Sequence, residues 1–416
     1  MINKNAQSSS FRSVPKTGVI YVMSRAEELG FTYQDKKWIN LGQGAPETGP
    51  IGGDDHRLKT ININIDNSEY SPIAGNQLLR EQVARLYNAR YRQGKSSKYS
   101  YKNVAISGGG RVGLTRVAAA LGDVNLGHLL PDYTAYEELF EAFKGFVPIP
   151  IVVKAKDAFK LSPDLLESEV IDRGLGAILM SNPCNPTGQV VMGNDLKAFV
   201  RIGLSTSCVL IFDEFYSHYI YDKDNLTISA SAYVEDVNND PVIIIDGLTK
   251  NWRYPGLRLS WTIGPADIIE SIYSAGSFLD GGAAHPIQQA AISLLEHSVA
   301  DKQAHSIKKH FTKKRDFIVK KLEEIGFVIP GPPQGSFYCF ASLENMPPHL
   351  RDGMDFFESL LKEKVICVPG EFFDVNPGRR RSHIPSRLKG YIRFSFGPEL
   401  NRLEEGLHRI AKMLCK

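Results

Sequence analysis

The chain has 416 residues, 43% hydrophobic and 23% charged, with Lys plus Arg exceeding Asp plus Glu by 49 to 46. That length exceeds one ordinary core and points to two domains of ordinary soluble composition, and so small a surplus of positive charge gives no case for nucleic acid. Five scattered cysteines without CxxC spacing fit reduced thiols in a cytoplasmic protein and no zinc site, and no apolar run reaches the roughly 18 residues that span a membrane.

Taken in chain order, residues 1–13 are polar and serine-rich, with no apolar signal core, and read as a flexible arm. The stretch after Gly44 is rich in acids: Glu47, Asp54 and Asp55. Leu79, Val83, Leu86 and Tyr87 share one face of a predicted helix. Four short apolar runs follow, at 104–106, 177–180, 208–212 and 242–245, each stopping at glycine or polar residues. Continuous runs of this kind look like strands buried on both faces. Alternating with helical stretches, they predict an α/β fold: a mostly parallel wound sheet flanked by helices. Ligands of such sheets bind beyond the carboxyl ends of the strands, so residues 108–111, 182–188, 213–216 and 247–250 should converge on one crevice. From about residue 300 the pattern changes to a long helix, 307–325, and shorter elements with several prolines. The expected organisation is an arm and part of a small domain in residues 1–60, a large domain in 61–300, and a smaller α+β domain in 301–416. Arg379-Arg380-Arg381, the one dense basic run, reads as a solvated loop.

The candidate chemistry sits at the strand ends. Ser107-Gly108-Gly109-Gly110-Arg111 follows a strand and opens a helix, 112–121, which suits a phosphate. Gly108, Gly110 and Gly113 also fit the dinucleotide pattern GxGxxG, with Asp132 near its acidic position, and a plain tight helix start is a third reading. Asn182-Pro183-Cys184-Asn185-Pro186-Thr187-Gly188 forces an ordered turn, structural or presenting an asparagine as a neutral donor. Asp213, just past a buried strand, is costly unless paired. A pyridinium nitrogen would pair it and become an electron sink; a helix N-cap is the plainer reading. Tyr216 could donate to that ring's oxygen. Lys250 follows a strand in a polar, glycine-bearing loop; among cations a lysine acquires a lowered pKa and becomes a nucleophile, although a lone surface lysine is commoner. Arg258 could cap a phosphate through its fork of donors. Arg393 lies in the strand pattern Tyr391-Ile392-Arg393-Phe394-Ser395, where a substrate carboxylate or an internal salt bridge would satisfy it.

In order, from Leu41 to Phe396, this set resembles the fold-type I, class I/II aminotransferases, the aspartate-aminotransferase-like enzymes that use pyridoxal 5'-phosphate. The resemblance implies that Lys250 holds the cofactor as a Schiff base and shuttles a proton, and that Asp213 pairs the pyridine nitrogen. It assigns Asn185 and Tyr216 to the ring oxygen and Tyr133 to stacking. Gly109, Gly110, Arg111 and Arg258 match the phosphate cradle. Gly44, Asn185 and Arg393 match the substrate side. Tyr70 matches a tyrosine that reaches the neighbouring subunit's phosphate, which implies a homodimer with shared active sites.

Some positions depart from that pattern. Gly247 replaces a common serine, Ser260-Trp261 stand where glycine is usual, and Leu279-Asp280-Gly281-Gly282 replaces a stretch that often carries Ser or Thr. Transamination of an L-amino acid with a 2-oxo acid is the expected reaction. The alternative is elimination or cyclisation, for example of a hydroxylated arginine-like amino acid in natural-product biosynthesis, its cationic side chain met by the acidic loop. A nicotinamide dehydrogenase would leave Lys250, Arg258 and Asp213 unexplained, and no DNA-binding segment supports a cofactor-binding regulator.

Overall fold

The computed structural model describes residues 14, 16, 18–52 and 57–415; the expected arm at 1–13, and Asp54 and Asp55 of the acidic stretch, lie outside the described residues. The path begins with helix α1 (Gly18–Glu28) and a short strand, β1 (Ile39–Asn40). Helix α2 (Gln77–Tyr91) starts at Asn76, whose side chain accepts from the Leu78 and Leu79 N–H groups, and it buries the expected face of Leu79, Val83, Leu86 and Tyr87. Then follow β2 (Val104–Ser107), α3 (Gly110–Ala120), β3 (Asn125–Leu130), α4 (Tyr136–Ala142), β4 (Val147–Val152) and α5 (Pro163–Arg173). The bounds of α5 are written locally: Ser162 caps it, Pro163 opens it, and Gly174 closes it in the left-handed region at φ 57°. β5 (Leu175–Ser181), α6 (Gly193–Thr206), β6 (Val209–Asp213), β7 (Val242–Gly247), β8 (Ser260–Ile263), α7 (Ala266–Leu279) and α8 (His285–Ala291) complete this part.

Seven of these strands form one sheet in the order β2-β8-β7-β6-β5-β3-β4. The pairs β4–β3, β3–β5, β5–β6 and β6–β7 are parallel. β8 is antiparallel to both neighbours, β7 and β2. The 104–106 run therefore points with the parallel strands without pairing with one. The reason lies in the 248–259 connection, which contains no α-helix; a parallel crossover needs about a dozen residues or more and usually a helix. Here the chain spends that length on the Lys250 loop and turns straight back.

The second domain carries α9 (His297–Ile325), β9 (Tyr338–Ser342), α10 (Gly353–Lys362), β10 (Val365–Ile366), β11 (Val368–Pro369), β12 (Tyr391–Ser395) and α11 (Leu400–Leu414). Its antiparallel sheet runs β11-β12-β9, while β1 pairs in parallel with β10, Ile39 opposite Val365. The N-terminal segment thus completes this smaller α+β domain. Helix α9 begins ten residues before the expected 307. Its first turns are mostly polar, and their buried face is made by Ala300, Gln303 and Ala304, too weak a pattern to show a period of 3.6. In the basic run, Arg379 and Arg380 are exposed, whereas Arg381 donates to the Asp374 carboxylate at 2.7 Å and to the Val375 carbonyl. No helix among the described residues is long and apolar enough to cross a membrane.

Candidate active site

All the predicted strand ends meet. The ends of β2, β3, β5, β6 and β7, together with the start of β8, line a cavity of about 360 Å³ that includes Gly110, Arg111, Tyr133, Asn185, Asp213, Tyr216, Lys250 and Arg258. It adjoins a larger cavity of about 790 Å³, where Gly44 and Arg393 join Arg111, Tyr133, Asn185, Tyr216 and Lys250.

One end is built for an anion. Gly109 precedes α3 at φ 98°, and a Cβ there would lie 2.4 Å from Arg258 Nη2; one at Gly110 would lie 2.5 Å from the Phe215 ring. Only glycine lets the helix start approach so closely, leaving its first N–H groups free. Arg258 is itself in the left-handed region, φ 50°, and its Nη1 donates to the Pro255 carbonyl at 3.0 Å. A left-handed non-glycine residue costs on the order of 1–3 kcal/mol and persists where its surroundings hold it. Arg111 donates from Nε and Nη2 to the Tyr133 hydroxyl, both at 3.3 Å. The Thr249 hydroxyl lines this cavity, buried and without a partner.

On the cavity floor, Asp213 accepts a hydrogen bond from the Tyr136 hydroxyl at 2.9 Å, and burial pushes its carboxyl up to about 6. Lys250 is pulled down to about 7, first by burial and then by Arg393, Arg258 and Arg111, against which Asp213 acts weakly. Its Nζ donates to the Gly44 carbonyl. That lowering favours the unprotonated amine, the state a nucleophilic lysine needs. The arrangement rules out the readings of Lys250 as a surface residue and of Asp213 as a helix cap, since no α-helix begins at Asp213. Asn185 is held from behind: its N–H donates to Ser181 Oγ at 3.1 Å, and Ser181 Oγ donates to Asp132 at 2.5 Å. Asp132 is fully buried in that contact, which removes it from the dinucleotide role its spacing suggested.

At the other end, the buried Arg393 donates to Asn185 Oδ1 at 2.8 Å and to the Gly42 carbonyl at 2.7 Å. Its guanidinium lies 4.1 Å from the Tyr338 ring centroid and 4.9 Å from that of Phe373. Its Nε has no partner, and no ion pair to it is found among the described residues, so the internal salt bridge is not what satisfies it. Tyr338, which also shares a 2.9 Å hydrogen bond with Tyr216, was not a sequence candidate. Nor was Tyr136 as the donor to Asp213. Both are tyrosines in buried stretches, and nothing local marks them.

Other expectations fall elsewhere. Tyr70 is 94% exposed and lines neither cavity. Glu47 is not a free acid on a loop, because its carboxylate accepts from His310 and from Lys314 (2.5 Å). Asp280 pairs with Arg116 instead of supplying a hydroxyl near the cavity. Gly247 cannot carry a side chain, since a Cβ would lie 2.5 Å from the Leu259 carbonyl as β8 crosses it. All five cysteines are free, and among the described residues no group of three or more His, Cys, Asp or Glu could hold a metal.

The residues present fit pyridoxal phosphate: a cradle that a Cβ would fill and an orphaned hydroxyl for the phosphate, a buried carboxylate short of a cation, and a low-pKa lysine between them. Comparison with known proteins agrees. The family described as aminotransferase class I and II matches residues 36–410. A probable aspartate/prephenate aminotransferase of Aquifex aeolicus is 27% identical over 352 residues, covering 83% of this chain and 84% of its own. A (5-formylfuran-3-yl)methyl phosphate transaminase of Methanocaldococcus jannaschii is 26% identical, covering 96% of each chain. Aspartate aminotransferase of Thermus thermophilus, solved with maleate, shares the fold at TM-score 0.78 and 21% identity, over 97% of this chain and all of that one. The chain belongs to the class I and II aminotransferases and is a pyridoxal-phosphate-dependent enzyme of that family.

Proposed function

We propose that Lys250 carries pyridoxal phosphate as a Schiff base, and that the enzyme moves an amino group between an L-amino acid and a 2-oxo acid in the crevice around it. The observation that carries this reading is the Lys250 amine, half-buried, drawn down to about 7, and sharing one cavity with Asp213. When bound, the cofactor supplies an electron sink for a carbanion at the substrate's α-carbon. The Asp213 carboxylate, steadied by Tyr136, holds a proton on the ring nitrogen. Asn185 and Tyr216 would hold the ring oxygen, Tyr133 would stack on the ring, and Gly109, Gly110, Arg111 and Arg258 would hold the phosphate. Arg393 takes the substrate's α-carboxylate, which would satisfy its free Nε, with Asn185 and Gly44 beside it. Lys250, with its lowered pKa, would move the proton at the substrate's α-carbon.

The same reading divides the chain near residues 60 and 300 and places the enzyme in the cytoplasm. It also makes the enzyme a homodimer: Tyr70 stands clear of its own crevice, free to serve a neighbour's. The elimination or cyclisation alternative loses one support, because the Glu47 carboxylate is already committed to Lys314 and His310.

A visible spectrum during titration with a panel of amino acids, beside Lys250→Ala, tests the assignment. A cofactor band that bleaches with one amino acid and returns on adding a 2-oxo acid establishes transamination and identifies the donor. Return without an acceptor favours elimination or cyclisation. A cofactor band unchanged by Lys250→Ala sinks the assignment.

A further inference from the structure

We propose that Glu47 is a positioning residue for the substrate end of the crevice, pinning the 42–49 segment to helix α9 so that the Gly42 and Gly44 carbonyls meet Arg393 and Lys250. This rests on the reading of those two cations given above. The segment hangs between two anchors. The first is backbone: Leu41 N–H donates to the Ile366 carbonyl at 2.8 Å, and the Leu41 carbonyl accepts from Ser395 N–H at 2.6 Å. Beyond it, Gly42 accepts from Arg393 and Gly44 from Lys250.

The second anchor is Glu47. One carboxylate oxygen, Oε1, receives both the His310 Nε2–H and the Lys314 ammonium, one helical turn apart on α9. Lys314 is 1% exposed, and its only ion-pair partner among the described residues is this carboxylate. The Glu47 N–H donates to the Gly397 carbonyl at 3.0 Å, which also accepts from Lys314 at 3.2 Å. Arg253, three residues after Lys250, donates to the Glu47 and Gly49 carbonyls at 2.9 and 2.7 Å. Glu47 thus ties α9 to this segment through its side chain, and the turn after β12 and the Lys250 loop through its backbone, at the point where the chain leaves the substrate pocket. Ion pairs of this kind are short and directional, which suits them to fixing a loop rather than merely neutralising it. Misplacing a substrate-positioning group by about 1 Å costs up to about a hundredfold in rate constant.

The test removes both charges, Glu47→Gln with Lys314→Met, so that no unpaired ammonium is left buried, and adds His310→Gln alone as a milder variant. Peptide-resolved hydrogen exchange of the cofactor-loaded protein is read over residues 41–49. KM and kcat are measured with the panel amino acid that turns over fastest, and the cofactor's half-saturation is followed by absorbance. Expected for the double variant are exchange of the Gly42 and Glu47 amides about tenfold faster and KM about tenfold higher, with kcat within about threefold and cofactor affinity within about twofold. The single variant, which keeps Lys314, should show the same pattern more weakly. Unchanged exchange, an unchanged KM, or equal loss of KM and cofactor affinity overturns the proposal. If no amino acid turns over in the wild type, the functional reading is what fails, and exchange alone still decides Glu47.

Discussion

Two buried arginines, Arg116 on α3 and Arg393 on β12, are equally hidden from water and differently completed. Arg116 donates from Nε and Nη2 to the Asp280 carboxylate at 2.8 and 2.5 Å and from Nη1 to the Ile73 and Ile106 carbonyls. Asp280, although burial opposes it, is held below the usual carboxylate range by that guanidinium. Arg393 meets only neutral acceptors and aromatic rings, and its Nε is idle. Across the cavity, Asp213 is the acidic counterpart: a buried carboxylate with a tyrosine donor, sitting at about 6 rather than below 4. A closed pair is scaffold. An open charge, surrounded by fixed neutral dipoles, is a place kept for a ligand's charge.

Breaking the closed pair should have the largest effect. Arg116→Leu removes two charge-assisted bonds to Asp280, whose carboxylate water still reaches, and is expected to cost about 3 kcal/mol, measured by urea denaturation, with little change in KM for the protein that remains folded. A loss under about 1 kcal/mol would mean the pair is not the scaffold described. Next comes Asp213→Asn in the cofactor-free protein. The wild-type carboxyl binds its proton more tightly when folded, so wild-type stability should fall as pH rises from about 4 to about 6 and be flat above, while the asparagine variant lacks that fall. The gap between them approaches about 3 kcal/mol above pH 6. A gap that stays constant from pH 4 to 8 would remove Asp213 as an open charge. Arg393→Leu sharpens the contrast, because it strands no carboxylate. Stability should move by less than about 1 kcal/mol, while kcat/KM falls about 10- to 100-fold with the loss of a charge-assisted contact worth about 1.5–3 kcal/mol. Destabilisation as large as that of Arg116→Leu would erase the distinction. Smallest is Tyr338→Phe, which removes the hydroxyl that meets Tyr216 but keeps the ring beside Arg393. A change of about 0.5–1.5 kcal/mol is expected in stability or kcat/KM, and none in either would make that hydroxyl idle.

The open charges were the legible part of the site. Lys250, Asp213, Arg258 and Arg393 are polar residues that interrupt apolar runs, and the end of a strand tells where such residues go. The glycines at 109 and 110 were legible for a related reason, because backbone approach leaves no alternative residue. What escaped was whatever depends on partners distant in sequence. Asp280 could not be told from a loop acid until Arg116 met it, nor Glu47 until α9 crossed it. Tyr136 and Tyr338 acquire roles only from the oxygens their hydroxyls reach. In the fold, β8 was not among the expected strands, because Ser260-Trp261-Thr262-Ile263 is not a continuous apolar run although all four residues are buried. The start of α9 was hidden because alanine contacts bury little area.

Helix α9 also has a mechanical meaning. At about 1.5 Å per residue its 29 residues form a rod of about 43 Å. Near the middle, Phe311 packs against Tyr219 and Lys308 donates to the Asn225 carbonyl, both beside the large sheet, while α11 of the smaller domain packs on the same rod. An unbroken helix does not fold at its centre without giving up backbone hydrogen bonds. Any swing of one domain against the other is therefore carried as gentle curvature or taken up at the helix ends, where Gly326 sits at φ 106°. The rod behaves as a stiff axle common to both halves, setting which directions of motion are cheap.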